Sequence, residues 1–468
     1  MNYTTRKKLN SRNYKLVKGV AVVLFWIIIW HILAMIVGNS LLLPTLPETV
    51  IALVKLTTEK SFYLDVCWTL FRCILSIVLS FGFGLCLAWM AYKKELIRDL
   101  LILPVSFFKA VPVMAIVIYV ILLVESDWVA VVACFLMCFP IAYTNILSGL
   151  TEVSKELLEV ASIYRFTKAD TIKLIYIPNI MPQFNAAMKI VAGLSWKAVV
   201  AAEVLSVPEF SLGQGMISAK YYLETPTLFA YIIVIVALSL VMEKVIVLLT
   251  SKLTIKNYEG SKINRVINKA SNDMEPATVN LANVYKCFDE KKVMTGYSRL
   301  FEAGSKTAII GPSGSGKTTL ARIIADLEFA DDGNVKLSED AKISYLFQED
   351  RLFPWLNVYD NMALGMESID EEAVIDMAQK LEIKEVLYKM PEELSGGMKH
   401  RVALGRTLLA DSNLIILDEP FRGLDEGLKK RIVDRLWEEM VVDKTVIVIT
   451  HSREDIELLG INESIYIE

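Results

Sequence analysis

Nine consecutive residues carry the plainest chemistry in the 468-residue chain: Gly311, Pro312, Ser313, Gly314, Ser315, Gly316, Lys317, Thr318 and Thr319. They fit the spacing G-x-x-x-x-G-K-[ST]. Glycines at these positions let backbone N–H groups approach phosphate oxygens, and a helix N-terminus favours an anion. Lys317 would bring a positive charge to the β- and γ-phosphates of a nucleotide, and Thr318 a hydroxyl to Mg²⁺. An ordinary Gly/Ser turn with an incidental lysine would need no particular flanks. Here the apolar run Thr307–Ile310 precedes and a helix-like segment, Leu320–Asp326, follows.

A second acidic site lies downstream, where the apolar run Leu414–Leu417 leads into Asp418, Glu419 and Pro420. A buried strand ending in two carboxylates sets them at the mouth of a sheet, beside a phosphate loop. Asp418 would then hold Mg²⁺ through water, and Glu419 would polarise an attacking water.

The elements that must position these groups follow from the pattern after Thr278. Short apolar runs (Thr307–Ile310, Ile343–Phe347, Leu414–Leu417, Thr445–Ile449) alternate with helix-like segments. That predicts an α/β domain over 278–468, with a mostly parallel sheet covered by helices. Residues 251–277, polar and rich in Asn, Ser and Lys, predict a linker.

The first half of the chain is different. The whole chain is 54% hydrophobic, with a mean hydropathy of +0.45, above the usual share for soluble proteins of about 45–50%. Six stretches predict membrane helices: 19–38, 66–92, 99–124, 127–149, 185–207 and 227–250. About 20 apolar residues cross the bilayer as a helix, and lipid leaves the backbone no other partner. A basic tail (1–18) precedes the first stretch, but that stretch is long for a signal core and no small-x-small cleavage site follows it. With the N-terminus inside, inner segments carry thirteen basic residues and outer ones only Lys55, Lys60 and Lys220. This asymmetry predicts a multi-pass protein of the cell membrane with both termini cytoplasmic. Charges within lipid are costly, which singles out Glu203, then Arg72 and Lys109.

Composition excludes other classes. The net charge of −4 hides no basic stripe, so nucleic acid is not an expected partner. The six cysteines lack metal-ligand spacing with the three histidines, and read as small apolar residues.

Residues 394–398 (LSGGM) resemble the signature of ATP-binding cassette (ABC) ATPases, and the Met398 form resembles the nitrate/taurine/sulfonate-type importers. So does FQEDRLFPWLNVYDNMALG (347–365), in which Gln348 resembles the Q-loop glutamine that joins the metal site to the membrane subunit. Asp425 in GLDE resembles the D-loop, His451 the switch histidine, and Phe288 the aromatic residue that stacks on adenine. The resemblance implies Mg²⁺ near Thr318, Gln348 and Asp418, and catalysis by Glu419, His451, Gln348 and Lys317. It also implies that Ser395, Gly396 and Gly397 face the γ-phosphate of a second copy, so that a homodimer closes around two ATPs. Departures stand at His400 and Gly405 (usually Gln and Ala) and at Arg422–Gly423 (usually a small pair).

Residues 156–182 resemble the cytoplasmic coupling loop of ABC importers, within 151–183. Glu159, Ala161, Pro178 and Pro182 match; Val160 and Arg165 stand where alanine and glycine are expected. LPTLPETVIALV, LLILPVSFFKAVPVMAIVIYVI and GLSWKAVVAAEVL resemble permeases of the nitrate/taurine/sulfonate class. The implied protein is a half-transporter with a six-helix, type I importer-like membrane domain (19–250). It would import a small solute, delivered by an extracytoplasmic solute-binding protein. Six helices followed by a cassette is also the layout of ABC exporters, the alternative reading, although exporter helices run far into the cytoplasm. An ATPase driving a mechanical or signalling partner is a third, which the short outer loops disfavour.

Overall fold

The computed structural model describes residues 3–255, 274–288 and 291–467. The chain divides into two compact units, Met1–Glu152 with Asn179–Leu253, and Val153–Pro178 with Thr254–Glu468. Most of the expected linker, 256–273, lies outside the described residues.

In chain order the helices of the first half are α1 (Tyr3–Val37), α2 (Leu46–Thr58), α3 (Lys60–Lys93), α4 (Glu95–Ala110), α5 (Val113–Ile121), α6 (Ser126–Thr151), α7 (Lys155–Ile163), α8 (Lys168–Thr171), α9 (Ile177–Ser206), α10 (Leu212–Tyr221) and α11 (Thr225–Ile255). A π-helical turn, Ile172–Tyr176, joins α8 to α9. In the first unit α3 packs against α6. Buried Ser76, Ser80, Gly84 and Ala88 recur at every fourth position of α3, and small residues at that spacing let helix backbones approach. A Cβ on Gly84 would lie 3.1 Å from that of Ala142 on α6.

All six apolar stretches are helical, with differences. The tail expected at 1–18 is no separate element, since α1 begins at Tyr3 and runs through it. The stretch 99–124 is not one helix: α4 and α5 meet at 103°. Pro112 has no N–H to donate, and Val111 before it is extended (ψ 130°), as the residue preceding a proline prefers. By length and composition, three helices among the described residues can cross a membrane, or four if the bent pair counts as one span.

Among its described residues the second unit holds eight strands: β1 (Val279–Phe288), β2 (Lys291–Phe301), β3 (Lys306–Ile310), β4 (Asp332–Leu337), β5 (Ile343–Leu346), β6 (Leu414–Asp418), β7 (Thr445–Ile449) and β8 (Glu463–Tyr466). Besides α7 and α8, its helices are α12 (Lys317–Ile324), α13 (Val358–Ala363), α14 (Glu371–Lys380), α15 (Gly396–Leu408), α16 (Glu426–Val441) and α17 (Arg453–Leu458). One sheet is parallel, in the order β5-β6-β7-β3-β8; the other is antiparallel, β2-β1-β4. The four expected apolar runs are β3, β5, β6 and β7. Every residue of β6 and β7 is buried, as in a sheet covered on both faces. Since β3, β6 and β7 run parallel, their C-terminal ends share one edge, where ligands of open α/β sheets bind.

Candidate active site

The phosphate loop leaves β3 and enters α12. Its geometry needs glycine: Gly316 has φ +99°, and a Cβ there would lie 2.7 Å from Val293 Cγ1. Lys317 Nζ folds back along the loop, donating to the carbonyls of Gly311 (2.9 Å) and Pro312 (2.8 Å). Ser315 Oγ is buried with no hydrogen-bond partner.

From the end of β6 come the two carboxylates. Asp418 is 1% exposed and accepts a hydrogen bond from Thr318 Oγ1 at 2.9 Å. Burial pushes its carboxyl up to about 6, against the pull of the Thr318 hydroxyl. Glu419 is left-handed (φ +55°), and its N–H donates to Ile449 O at the end of β7 (2.9 Å). Two residues beyond β7, His451 Nδ1 lies 2.8 Å from Glu419 Oε1.

These groups share a cleft of about 950 Å³, which Gly311, Lys317, Thr318, Gln348, Asp418, Glu419 and His451 help line. Glycine-shaped backbone, a lysine and a Thr–Asp oxygen pair suit a triphosphate with a hard divalent cation. Phe288, Ser395, Gly396, Gly397 and Asp425 do not line the cleft. Phe288 is half-exposed at the end of β1, with Lys286 Nζ 5.0 Å from its ring centroid. Ser395 caps α15 and Asp425 caps α16 through their side-chain oxygens.

The departures from the family pattern touch the Gln348 loop. Arg422 Nη1 donates to Gln348 O at 2.9 Å. His400 lies between Asp350 Oδ1 (3.0 Å) and Pro420 O (2.9 Å).

The segment 153–178 packs on the ATPase elements of its own unit. Glu159 of α7 takes two hydrogen bonds from Arg322 of α12 (2.9 and 2.8 Å) and one from Arg351 (2.6 Å). Burial raises the Glu159 carboxyl, but the bonds from Arg322 and Arg351 outweigh it and hold the group below the usual range. Arg351, three residues past Gln348, also lies 4.0 Å over the Phe347 ring, and Trp355 Nε1 donates to Leu174 O at 2.8 Å. Sequence reasoning matched Glu159 but not its partners; Arg351 and Trp355 stood inside the quoted block 347–365 without a role, and Arg322 lies five residues beyond Lys317.

In the first unit, Glu203 is fully buried and paired with Arg72 at 3.0 Å, with Thr69 Oγ1 donating to it at 2.9 Å. Arg72 also donates to Asp127 and to Phe210 O. The Glu203 side chain is therefore occupied in holding α3, α6 and α9 together. Lys109 Nζ donates to Thr144 Oγ1 at 3.3 Å.

Comparison with known proteins agrees with both halves. Residues 295–422 match the ABC transporter family, and residues 80–255 match the binding-protein-dependent transport system inner membrane component family. The thiamine import ATP-binding protein ThiQ of Haemophilus influenzae (strain ATCC 51907 / DSM 11121 / KW20 / Rd) is 35% identical over 190 residues, covering 37% of this chain and 86% of that protein. The sulfate/thiosulfate import ATP-binding protein CysA of Escherichia coli (strain K12) is 32% identical over 200 residues; the match covers 38% of this chain and 54% of CysA. Among solved structures, the dimeric ATP-binding cassette MJ0796 bound to ADP and Pi is 25% identical, with a TM-score of 0.36, covering 41% of this chain and 94% of that one. ThiQ and CysA are import ATP-binding proteins, which does not favour the exporter alternative. The chain therefore belongs to the ABC transporter family, as a fusion of an importer-type membrane permease with the ATPase whose hydrolysis is coupled to transport.

Proposed function

We propose that two copies of this chain form an importer in the cytoplasmic membrane, with both termini inside, and take a small solute from an extracytoplasmic binding protein. Two ATPs are held between the copies. In each, the phosphate loop and Lys317 grip the phosphates, while Ser395, Gly396, Gly397 and Asp425 serve the nucleotide of the opposite copy and Phe288 stacks on adenine. Thr318, Asp418 and Gln348 would hold Mg²⁺, which when bound would neutralise charge on the phosphate oxygens. Glu419 takes the proton of the attacking water, and His451 orients that carboxylate.

One observation carries the coupled part of this reading. Glu159, in the segment that leads into α9, is hydrogen-bonded both to α12, which opens with Lys317, and to Arg351 beside Gln348. ATP must favour one arrangement of the two copies over the other for its binding to move anything. Residues 153–178 then carry that preference to the membrane helices.

The solute is a small anion of the nitrate, taurine or alkanesulfonate kind. The support is the sequence resemblance of 347–365 and of the membrane half; the thiamine and sulfate importers named above show that the cassette alone does not choose a cargo. The test is uptake in proteoliposomes with ATP on the cassette side, using binding proteins screened against those anions and thiamine. Uptake that needs both ATP and a binding protein is expected. ATP-driven transport in the opposite direction, independent of any binding protein, would overturn import.

A further inference from the structure

Helix α7 ends in a turn with a specific demand. Arg165 N–H donates to Ser162 O (3.0 Å) and Phe166 N–H to Ala161 O (2.8 Å). This paired bonding closes a helix through a left-handed residue, for which glycine is the natural choice because it has no Cβ. The residue is Arg165, with φ +49°. Glycine would satisfy the same turn without strain, so the arginine must be explained by what its side chain reaches.

Its guanidinium reaches the ATPase fold. Arg165 Nη2 donates to Ala341 O at 2.7 Å. That carbonyl sits on a stapled turn: Ala341 N–H bonds Ser338 O, the Asn413 side chain donates to Asp340 O, and Lys342 N–H donates to Asn413 Oδ1. Asn413 directly precedes β6, the strand that ends in Asp418. The residues on either side dock as well. Arg406 lies 5.8 Å over the Tyr164 ring, and Phe166 stacks on Phe353 with centroids 6.2 Å apart. Three consecutive residues thus meet three different parts of the ATPase fold, and the middle one does so from a strained backbone.

We propose that Arg165 is a positioning residue for energy coupling. Its bond to Ala341 fixes the turn after α7 to the β5–β6 end of the sheet. Glu159 anchors the body of α7 and Trp355 holds Leu174 further along; between them, Arg165 makes a charged contact at the turn. With that anchor, opposite in polarity to Glu159, the segment follows the ATPase as a rigid body. This inference rests on the reading of residues 153–178 as the relay.

The test uses the full chain in lipid nanodiscs, with the exposed cysteines Cys67, Cys86 and Cys287 replaced by serine and a spin label on Tyr222→Cys. The distance between the labels of the two copies is measured before and after ATP, Mg²⁺ and vanadate. A shift is expected in the otherwise unchanged chain; its absence overturns both the relay and this inference. Arg165→Gly relieves the turn and removes the contact. It is expected to unfold at the same or a higher temperature and to turn over ATP within about twofold of the parent. It should lose a measurable part of the distance shift, because the charged anchor at the turn is gone while the contacts of Tyr164, Phe166 and Leu174 remain. Arg165→Lys, which keeps a donor, should retain most of the shift. A full shift in Arg165→Gly would overturn the role of Arg165 while leaving the relay standing. So would a loss of stability and shift together in both variants, which would mark the turn as merely structural.

Discussion

Arg322 donates to both carboxylate oxygens of Glu159, and the two residues stand 163 positions apart in the chain. The arginine is on the helix that begins at Lys317; the glutamate is on α7, in the segment that precedes the long helix α9. A two-pronged guanidinium–carboxylate contact fixes orientation as well as distance. The contact ties α12 to α7 at a fixed angle.

Glu159→Gln keeps the shape of this contact and removes its charge. Charge-assisted hydrogen bonds contribute about 1.5–3 kcal/mol each, so transport should fall by roughly tenfold or more. Glu159 lines no part of the nucleotide cleft, so ATP turnover should persist. The check is solute uptake and phosphate release measured on the same proteoliposomes. Parallel loss of both would mean that Glu159 stabilises the ATPase and does not couple it.

Glu419→Gln addresses the chemistry directly. The amide cannot accept the proton of the attacking water, while the phosphate loop and Lys317 are untouched. ATP should still bind, and hydrolysis should slow by about 10² or more. Single-turnover phosphate release with bound nucleotide quantified in parallel separates the two. Hydrolysis at the parent rate would remove Glu419 from the role of base.

Much of this site was legible in sequence because its parts are local. The phosphate loop is nine contiguous residues, and Asp418–Glu419 follow directly on a fully apolar strand. What could not be read was long-range pairing. Arg351 and Arg322 look like ordinary charged residues until the fold brings Glu159 to them. Glu203 was singled out as a charge within lipid, and in this chain it is fully buried against Arg72, whose own position gave no sign of that partner. The bend between α4 and α5 was missed because hydropathy continues smoothly across it. Pro112 was the available signal, outweighed by the apolar run around it. The signature residues 395–397 lie outside the cleft of their own chain, so their spacing alone does not show what they touch; the proposed reading gives them to a second copy.

The Arg72–Glu203 pair permits a test of stability without reference to transport. Arg72 is 2% exposed and Glu203 is not exposed at all. Removing one partner of a buried pair costs about 3–5 kcal/mol when the other is left stranded, and replacing both by apolar residues is often neutral; Arg72 keeps Asp127 and Phe210 O, so the loss of Glu203 costs less than that. Glu203→Leu alone should lower the unfolding temperature of the membrane unit markedly, and Arg72→Met with Glu203→Leu should recover part of the loss. Recovery will be incomplete, because Thr69 Oγ1 and Gly213 N–H also donate to Glu203. Thermal unfolding of the purified single and double variants in one detergent measures the coupling. Strict additivity of the two substitutions would show that the pair does not act as a unit.

Asp360 supplies the pH dependence. It is 4% exposed at the start of α13, and its Oδ2 has no hydrogen-bond partner. Burial alone raises its carboxyl from 3.8 to about 6. The folded protein therefore holds this proton more tightly than the unfolded chain does. The resulting stabilisation is complete below the unfolded value of 3.8 and is lost as the pH rises through about 6. Near neutrality the folded ATPase unit carries a buried, incompletely paired carboxylate. Asp360→Asn replaces it with a neutral group of nearly the same shape. The variant should unfold at a higher temperature than the parent near neutrality, with the gap narrowing as the pH falls through 6 toward 4. Thermal unfolding of the two proteins across that range decides the matter: a gap that stays constant with pH, or widens in acid, would mean that Asp360 is not the group whose charge the fold resists.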